Sequence, residues 1–195
     1  MVEPYDPLSY DNLARSVVGA LIERAVGPLP PRTPFAGPGV YAIYYSGGFA
    51  AYASISSPDC TQPIYVGKAD PPGGRKGVLV EEAMRAQKLY SRLREHAGSV
   101  RDAANLDVAD FRCRYLVVQP VWIRLAEQFL VSHFRPIWNC VIDGFGSHVP
   151  GIGRPGTKSS AWDVLHPRES RALVGDVDEE RRKILGTLRD FLTEA

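Results

Sequence analysis

An α+β fold is predicted for this chain: a small mixed or antiparallel three-stranded sheet flanked by helices, with helical and loop extensions at both ends. Three observations predict it. Short β-branched and aromatic runs occur at Val40–Tyr45, Pro63–Lys68 and Phe111–Val118. Helical periodicity lies before, between and after them. Clusters of proline and glycine punctuate the boundaries.

Residues 11–26 place Leu13, Val17, Ala20, Leu21 and Arg24 at helical spacing, with Asp11 as the expected N-cap. Residues 27–38 read as loop, which bounds an N-terminal helix-and-linker segment at 1–38 and a core at 39–143. Gly47-Gly48 is a hairpin signal, with 49–55 as the return strand. Residues 81–98 read as one helix, acidic at its start and closed by Gly98. Along 111–118, Phe111, Cys113, Tyr115 and Val117 share a face. Pro120 opens a helix that runs through His133 and stops at Arg135-Pro136. Residues 144–167 are too rich in glycine and proline, and too long, for a passive connector. They begin a third segment, 144–195, that ends in an amphipathic helix over 178–192 carrying Ile184, Leu185, Leu188 and Phe191. The three segments are expected to form one compact domain.

Composition narrows the function classes. The 195 residues are 45% hydrophobic and 23% charged, as in a soluble globular protein. No apolar run is long enough to span a bilayer, and the N-terminus lacks the basic and apolar regions of a secretory signal. Cys60, Cys113 and Cys140 are odd in number and widely spaced. That argues against a disulfide framework and a C-x-x-C zinc site, and fits a reducing cytoplasm. The net charge is only +1, but 68–101 carries eight basic against four acidic residues, a local +4 that suits a polyanion. The same run would also serve as an ordinary solvated helix face.

Several residues stand out as chemistry-bearing. Glu127 borders the helical stripe Ile123, Ala126, Leu130 and Phe134, where a carboxylate needs a partner. That partner is a basic side chain, a backbone donor or a hard cation. Arg92 and His96 lie four apart on one helix side, with Lys88 a turn earlier. An arginine fork clamps phosphate, and a histidine moves protons near neutral pH. Tyr41 and Tyr65 are strand tyrosines, which ordinarily pack. A free phenol, with a pKa of about 10, is a poor base without help. Lys68 is the nearest cation in sequence to Tyr65. Asn139 follows the helix stop, where a turn amide is ordinary.

The order of these residues is more specific than any one of them. Gly39-Val40-Tyr41, Tyr65-Val66-Gly67-Lys68, Arg92-x-x-x-His96, Glu127 and Asn139 resemble the GIY-YIG nuclease superfamily over residues 39–139, with valine at both central positions. The segment 135–139, the glycine-rich run 144–154 and Trp162-Asp163-x-Leu165-His166-Pro167 resemble one branch, the type II restriction endonucleases of SacII specificity, whose target is CCGCGG. This resemblance implies Mg2+-dependent hydrolysis of double-stranded DNA at a palindromic GC-rich site, with one Mg2+ per active site and Mn2+ as a substitute. It implies that Tyr41 activates the attacking water and that His96 accepts or relays the proton, either being the general base. Lys68 would favour a nearby phenolate. Arg92 and Tyr65 would bind the scissile phosphate. Glu127 would hold the metal, and Asn139 would orient water or phosphate. DNA contacts are expected from Lys68, Arg75, Lys76 and Lys88 to phosphates, and from His148, Arg154, Lys158, Ser159 and Ser160 to bases.

A palindromic cut implies a homodimer on DNA. The implied setting is the prokaryotic cytoplasm, beside a cognate DNA methyltransferase that is functionally linked but not a bound subunit, and with no membrane. Two other readings stay open: a GIY-YIG homing or repair nuclease, and a non-catalytic DNA-binding module. The first usually carries a separate DNA-binding domain, for which this length leaves no room. The second is expected to lose Glu127 or Arg92.

Overall fold

The computed structural model describes residues 5–71, 80–146, 159–170 and 172–194. Among these, four strands form one antiparallel sheet in the order β1-β4-β2-β3. The strands are β1 (Gly27–Pro28), β2 (Gly39–Tyr45), β3 (Pro63–Ala69) and β4 (Phe111–Val117). The helices are α1 (Tyr10–Ile22), α2 (Val80–Arg85), α3 (Lys88–Arg101), α4 (Pro120–Phe134), α5 (Ile137–Cys140), α6 (Ala161–Leu165) and α7 (Val177–Glu194).

β2 is central and buried along its whole length, because helices cover both faces of the sheet. On one face Val40, Ala42, Tyr44 and Val66 pack with Val18 and Leu21 of α1 and with Ile123, Ala126, Leu130 and Phe134 of α4. On the other, Tyr41, Ile43, Tyr45, Phe111 and Cys113 join Leu89, Leu93, Ala97 and Val100 of α3, together with residues of α5, α6 and α7. The period-2 alternation of the strands thus divides the core into two layers.

Four sequence expectations are corrected. The sheet has four strands, because Gly27–Pro28, read as loop, pairs with Arg112 and Cys113. Residues 49–55 are not a return strand: Ala50–Tyr52 form a 3-10 turn, and β3 takes the place beside β2. The run Ala50-Ala51-Tyr52-Ala53 has weak β preference, and the turn sends both Tyr52 and Ile55 inward. The helix expected over 81–98 is two helices. Between them the linker docks through Gly37 N–H to the Ala86 carbonyl (2.8 Å) and Leu89 N–H to the Gly37 carbonyl (3.2 Å). Gly98 lies inside α3 rather than at its end. Finally, Ser9, not Asp11, caps α1 by accepting from Asn12 N–H. The stop after α4 is as expected, with Arg135 in the left-handed conformation (φ 45°) before Pro136.

The segment after Gly144 re-enters the core. Trp162 and His166 are fully buried, and Arg168 Nε donates to Asp163 Oδ1 at 2.8 Å beneath them. His166 closes a hydrogen-bonded chain: Trp138 Nε1–H donates to the Tyr52 hydroxyl (3.0 Å), which donates to His166 Nε2 (2.6 Å). His166 Nδ1–H donates in turn to Asn105 Oδ1 (2.9 Å), whose amide is oriented by the Leu165 carbonyl. Burial, reinforced by the charge of Arg181, lowers the His166 pKa from 6.5 to about 3. The unfolded chain therefore binds a proton below pH 6.5 that the folded protein refuses. The stability His166 confers is complete above that pH and is lost as pH falls toward 3, by about 2 kcal/mol at pH 5. Denaturant titrations between about pH 7.5 and pH 5 should show this slope. His166→Gln should flatten it, and an unchanged slope would refute the assignment.

Candidate active site

α3 lays its apolar stripe on the sheet and buries His96 with it, while Arg92, one turn earlier, stays partly exposed on the helix flank. Tyr41 projects from β2 toward this helix. In the β2–β3 register Tyr41 faces Gly67 and Ile43 faces Tyr65, so the two tyrosines are diagonal neighbours on one face. Gly67 is what makes room: a Cβ there would sit 2.4 Å from Tyr41 Oη and 2.9 Å from a Tyr65 ring carbon. The two rings lie 6.2 Å apart, and the His96 ring lies 5.4 Å from Tyr41 and 5.3 Å from Tyr65. Tyr41 Oη and His96 Nε2 are hydrogen bonded at 2.6 Å, the phenol donating when the imidazole carries its proton on Nδ1.

Burial, then the neighbouring Tyr65, hold Tyr41 well above its usual pKa, and Arg92 opposes them. Burial raises Tyr65 as well; Arg92 opposes it and Glu127 adds to it. A standing phenolate is thus disfavoured at both positions, and proton movement from Tyr41 needs an acceptor. His96 is in contact to be that acceptor. Arg92 also pairs with Glu95 (2.9 Å), which holds its fork in place.

Glu127, on α4, is paired with Lys68 Nζ at 3.1 Å, which answers the need for a partner. Lys68 also approaches Asp70 (3.9 Å). Lys68 was expected to act on a phenolate. Residues 65 and 68 point to opposite faces of a strand, and the cation that Tyr41 and Tyr65 feel is Arg92. Glu127 keeps part of its carboxylate in solvent and influences both tyrosines, so it borders the same site. No cluster of three or more His, Cys, Asp or Glu forms a metal site among the described residues. A cation here would rest on Glu127, with water and substrate oxygens completing its shell.

Asn139, on α5, uses both ends of its amide on one residue of β3. Its Oδ1 accepts from Val66 N–H and its Nδ2 donates to the Val66 carbonyl, each at 2.8 Å. It therefore fixes the strand between Tyr65 and Gly67. Asn139→Ala is expected to cost about 1–3 kcal/mol through two unmet backbone groups. A thermal melt measures that loss directly, and unchanged stability would contradict this role.

The remaining expected DNA contacts divide. Lys88 is exposed at the start of α3. Arg75, Lys76, His148, Arg154 and Lys158 lie outside the described residues. The hydroxyls of Ser159 and Ser160 are engaged locally: Ser159 accepts from Val174 N–H, and Ser160 caps α6. Sequence reasoning gave no role to Phe145, which stacks on the His96 ring (4.5 Å, 16°) and meets Tyr65 edge-on. Its signal was an aromatic between two glycines, in a run that reads as loop.

A four-stranded sheet carrying paired strand tyrosines against an arginine-histidine helix, with one carboxylate alongside, defines a GIY-YIG nuclease. The match to a family model makes it particular: the chain belongs to the Eco29kI GIY-YIG domain family, a restriction-endonuclease family, which it matches over residues 33–192. That span reaches past Asn139 through α6 and nearly all of α7, beyond the residues that carried the resemblance. The substrate of such a nuclease domain is DNA. No individual curated protein matches the chain. Among the described residues, no helix is long and apolar enough to cross a membrane.

Proposed function

We propose that this protein is a type II restriction endonuclease that hydrolyses double-stranded DNA at a palindromic GC-rich site, CCGCGG. The observation that carries the reading is the buried Tyr41–His96 hydrogen bond beside Arg92. Water attacks phosphorus in line with the 3′-oxygen. As its oxygen bonds to phosphorus, its proton passes to Tyr41 Oη while the Tyr41 proton passes to His96 Nε2. The phenol stays neutral overall, as its burial demands, and His96 is the final acceptor. The phosphorus–oxygen bond to the 3′ side then breaks, and the departing 3′-oxygen takes a proton from solvent water, leaving a 3′-hydroxyl and a 5′-phosphate. His96 returns its proton to solvent before the next turnover. Arg92 and the Tyr65 hydroxyl hold the phosphate oxygens on which charge builds.

Glu127 would hold one Mg2+, with Mn2+ as a substitute. The bound ion supplies Lewis-acid stabilisation of the leaving oxygen. Lys68, now paired with Glu127, is then free for a phosphate oxygen. Asn139 acts through β3, by fixing Tyr65 and Gly67. Two copies on the twofold axis of the site would cut both strands. The natural setting is a prokaryotic cytoplasm in which a cognate methyltransferase protects host DNA.

The test is digestion of a plasmid with a single CCGCGG site, with Mg2+ and with EDTA, followed by sequencing of the ends. One linear product with both ends in that hexamer, absent with EDTA, is the expected result. Discrete ends at another sequence would refute the specificity. Random nicking would refute the restriction reading and favour a repair-type nuclease.

A further inference from the structure

Two residues given no role in the relay above lie directly on the His96 imidazole. The Phe145 ring is stacked on one face, nearly parallel at 16° and 4.5 Å away. Phe145 is itself backed by Trp138 (4.4 Å) and Trp162 (5.4 Å), both buried, so the stacking surface is a fixed wall. Gly146 abuts the ring edge: a Cβ there would lie 2.4 Å from His96 Cε1 and 2.7 Å from Nδ1, and the backbone has φ +65°. The remaining end of the ring, Nε2, meets the Tyr41 hydroxyl at 2.6 Å.

We propose that Phe145 and Gly146 are positioning residues that set the plane of the His96 imidazole so that Nε2 faces Tyr41. The physical reason is that an imidazole on a helix has two soft side-chain torsions, and the bond to Tyr41 does not by itself stop the ring rotating about that bond. A flat aromatic face removes that rotation. A residue without a Cβ lets the backbone close on the ring edge, so the ring cannot slide away from Tyr41. Any other residue at 146 would place its Cβ inside the space the imidazole occupies. A proton relay is sensitive to such placement, since misplacement by about 1 Å costs on the order of a hundredfold in rate.

This inference rests on the proposed relay, and its test separates the two. Single-turnover cleavage, with enzyme in excess, is compared for the parent, Gly146→Ala, His96→Ala and the double variant. Gly146→Ala should lower the cleavage rate constant about ten- to hundredfold and leave DNA affinity within about twofold. In the His96→Ala background the same substitution should change the rate by less than about twofold, because no imidazole remains to be displaced. An equal loss in both backgrounds overturns the proposal. Phe145→Leu, which keeps an apolar side chain and removes the ring face, should lose about tenfold and takes the place of Gly146→Ala if that variant does not fold. Nitrogen NMR of the histidine side chains reads the geometry without catalysis: the hydrogen-bonded Nε2 signal of His96 should be lost in Gly146→Ala. If the parent cuts no DNA, the relay fails and this spectrum alone decides the positioning; an unchanged Nε2 signal refutes it.

Discussion

Glu127→Ala is expected to reduce cleavage on the order of a thousandfold while leaving DNA binding nearly intact. The carboxylate is where a hard cation would rest, and a metal at a leaving oxygen contributes several kcal/mol to transition-state stabilisation. The substitution has a second effect that sharpens the measurement. Lys68 loses its partner at 3.1 Å and keeps only the longer contact to Asp70 at 3.9 Å, so more of its charge is left for the DNA. Affinity for DNA should therefore hold or rise while the rate collapses, a pattern opposite to that of a removed phosphate contact. Gel-shift binding and single-turnover cleavage, measured on the same duplex, check both halves. A Glu127→Ala protein that cuts at the parent rate would remove Glu127 from the mechanism.

Tyr41→Phe is expected to lower the rate by about 10²- to 10⁴-fold, the range for loss of positioned proton transfer. The ring stays, so the packing against Tyr65 is kept, and only the hydroxyl bonded to His96 is removed. His96→Ala should cost a similar factor. The double variant should be little worse than either, because the two residues act as one relay. The pH profile separates their roles. Burial raises Tyr41, so a phenolate does not set the profile near neutrality. A final acceptor that is histidine must be neutral to work, so the rate should already be level with pH well below the tyrosine range. A rate that keeps rising toward the tyrosine range would make Tyr41 the base on its own. Multiplying losses would show two independent functions.

Much of this site was legible in the sequence, and the reasons are local. The i, i+4 spacing of Arg92 and His96 puts both on one flank of α3, and the strand tyrosines reach it because their parity is fixed by the pleat. The stripe on α4 located Glu127. What the sequence hid depends on tertiary partners. Residues 49–55 follow the hairpin signal of Gly47-Gly48, but a strand from residues 63–69 wins the position beside β2. The break before α3 comes from the linker docking at Ala86 and Leu89, which no periodicity records. Lys68 reads as a neighbour of Tyr65 in sequence and belongs to Glu127 in space. Phe145 and His166 sit in a stretch whose glycines and prolines announce loop, while their side chains complete the core.

The Asn139 amide has a consequence for assembly. β3 is an outer strand of the sheet, and at its centre the backbone groups that face outward are already taken by a side chain. The opposite border is β1, only two residues long and ending in proline. Neither border offers an uninterrupted ladder among the described residues: Asn139 holds Val66 at the centre of β3, and β1 occupies Arg112 and Cys113 of β4. Two copies brought together on a palindrome would therefore keep separate sheets and meet through side chains. Their mutual orientation would be free to follow the symmetry of the DNA rather than the register of a shared β-sheet.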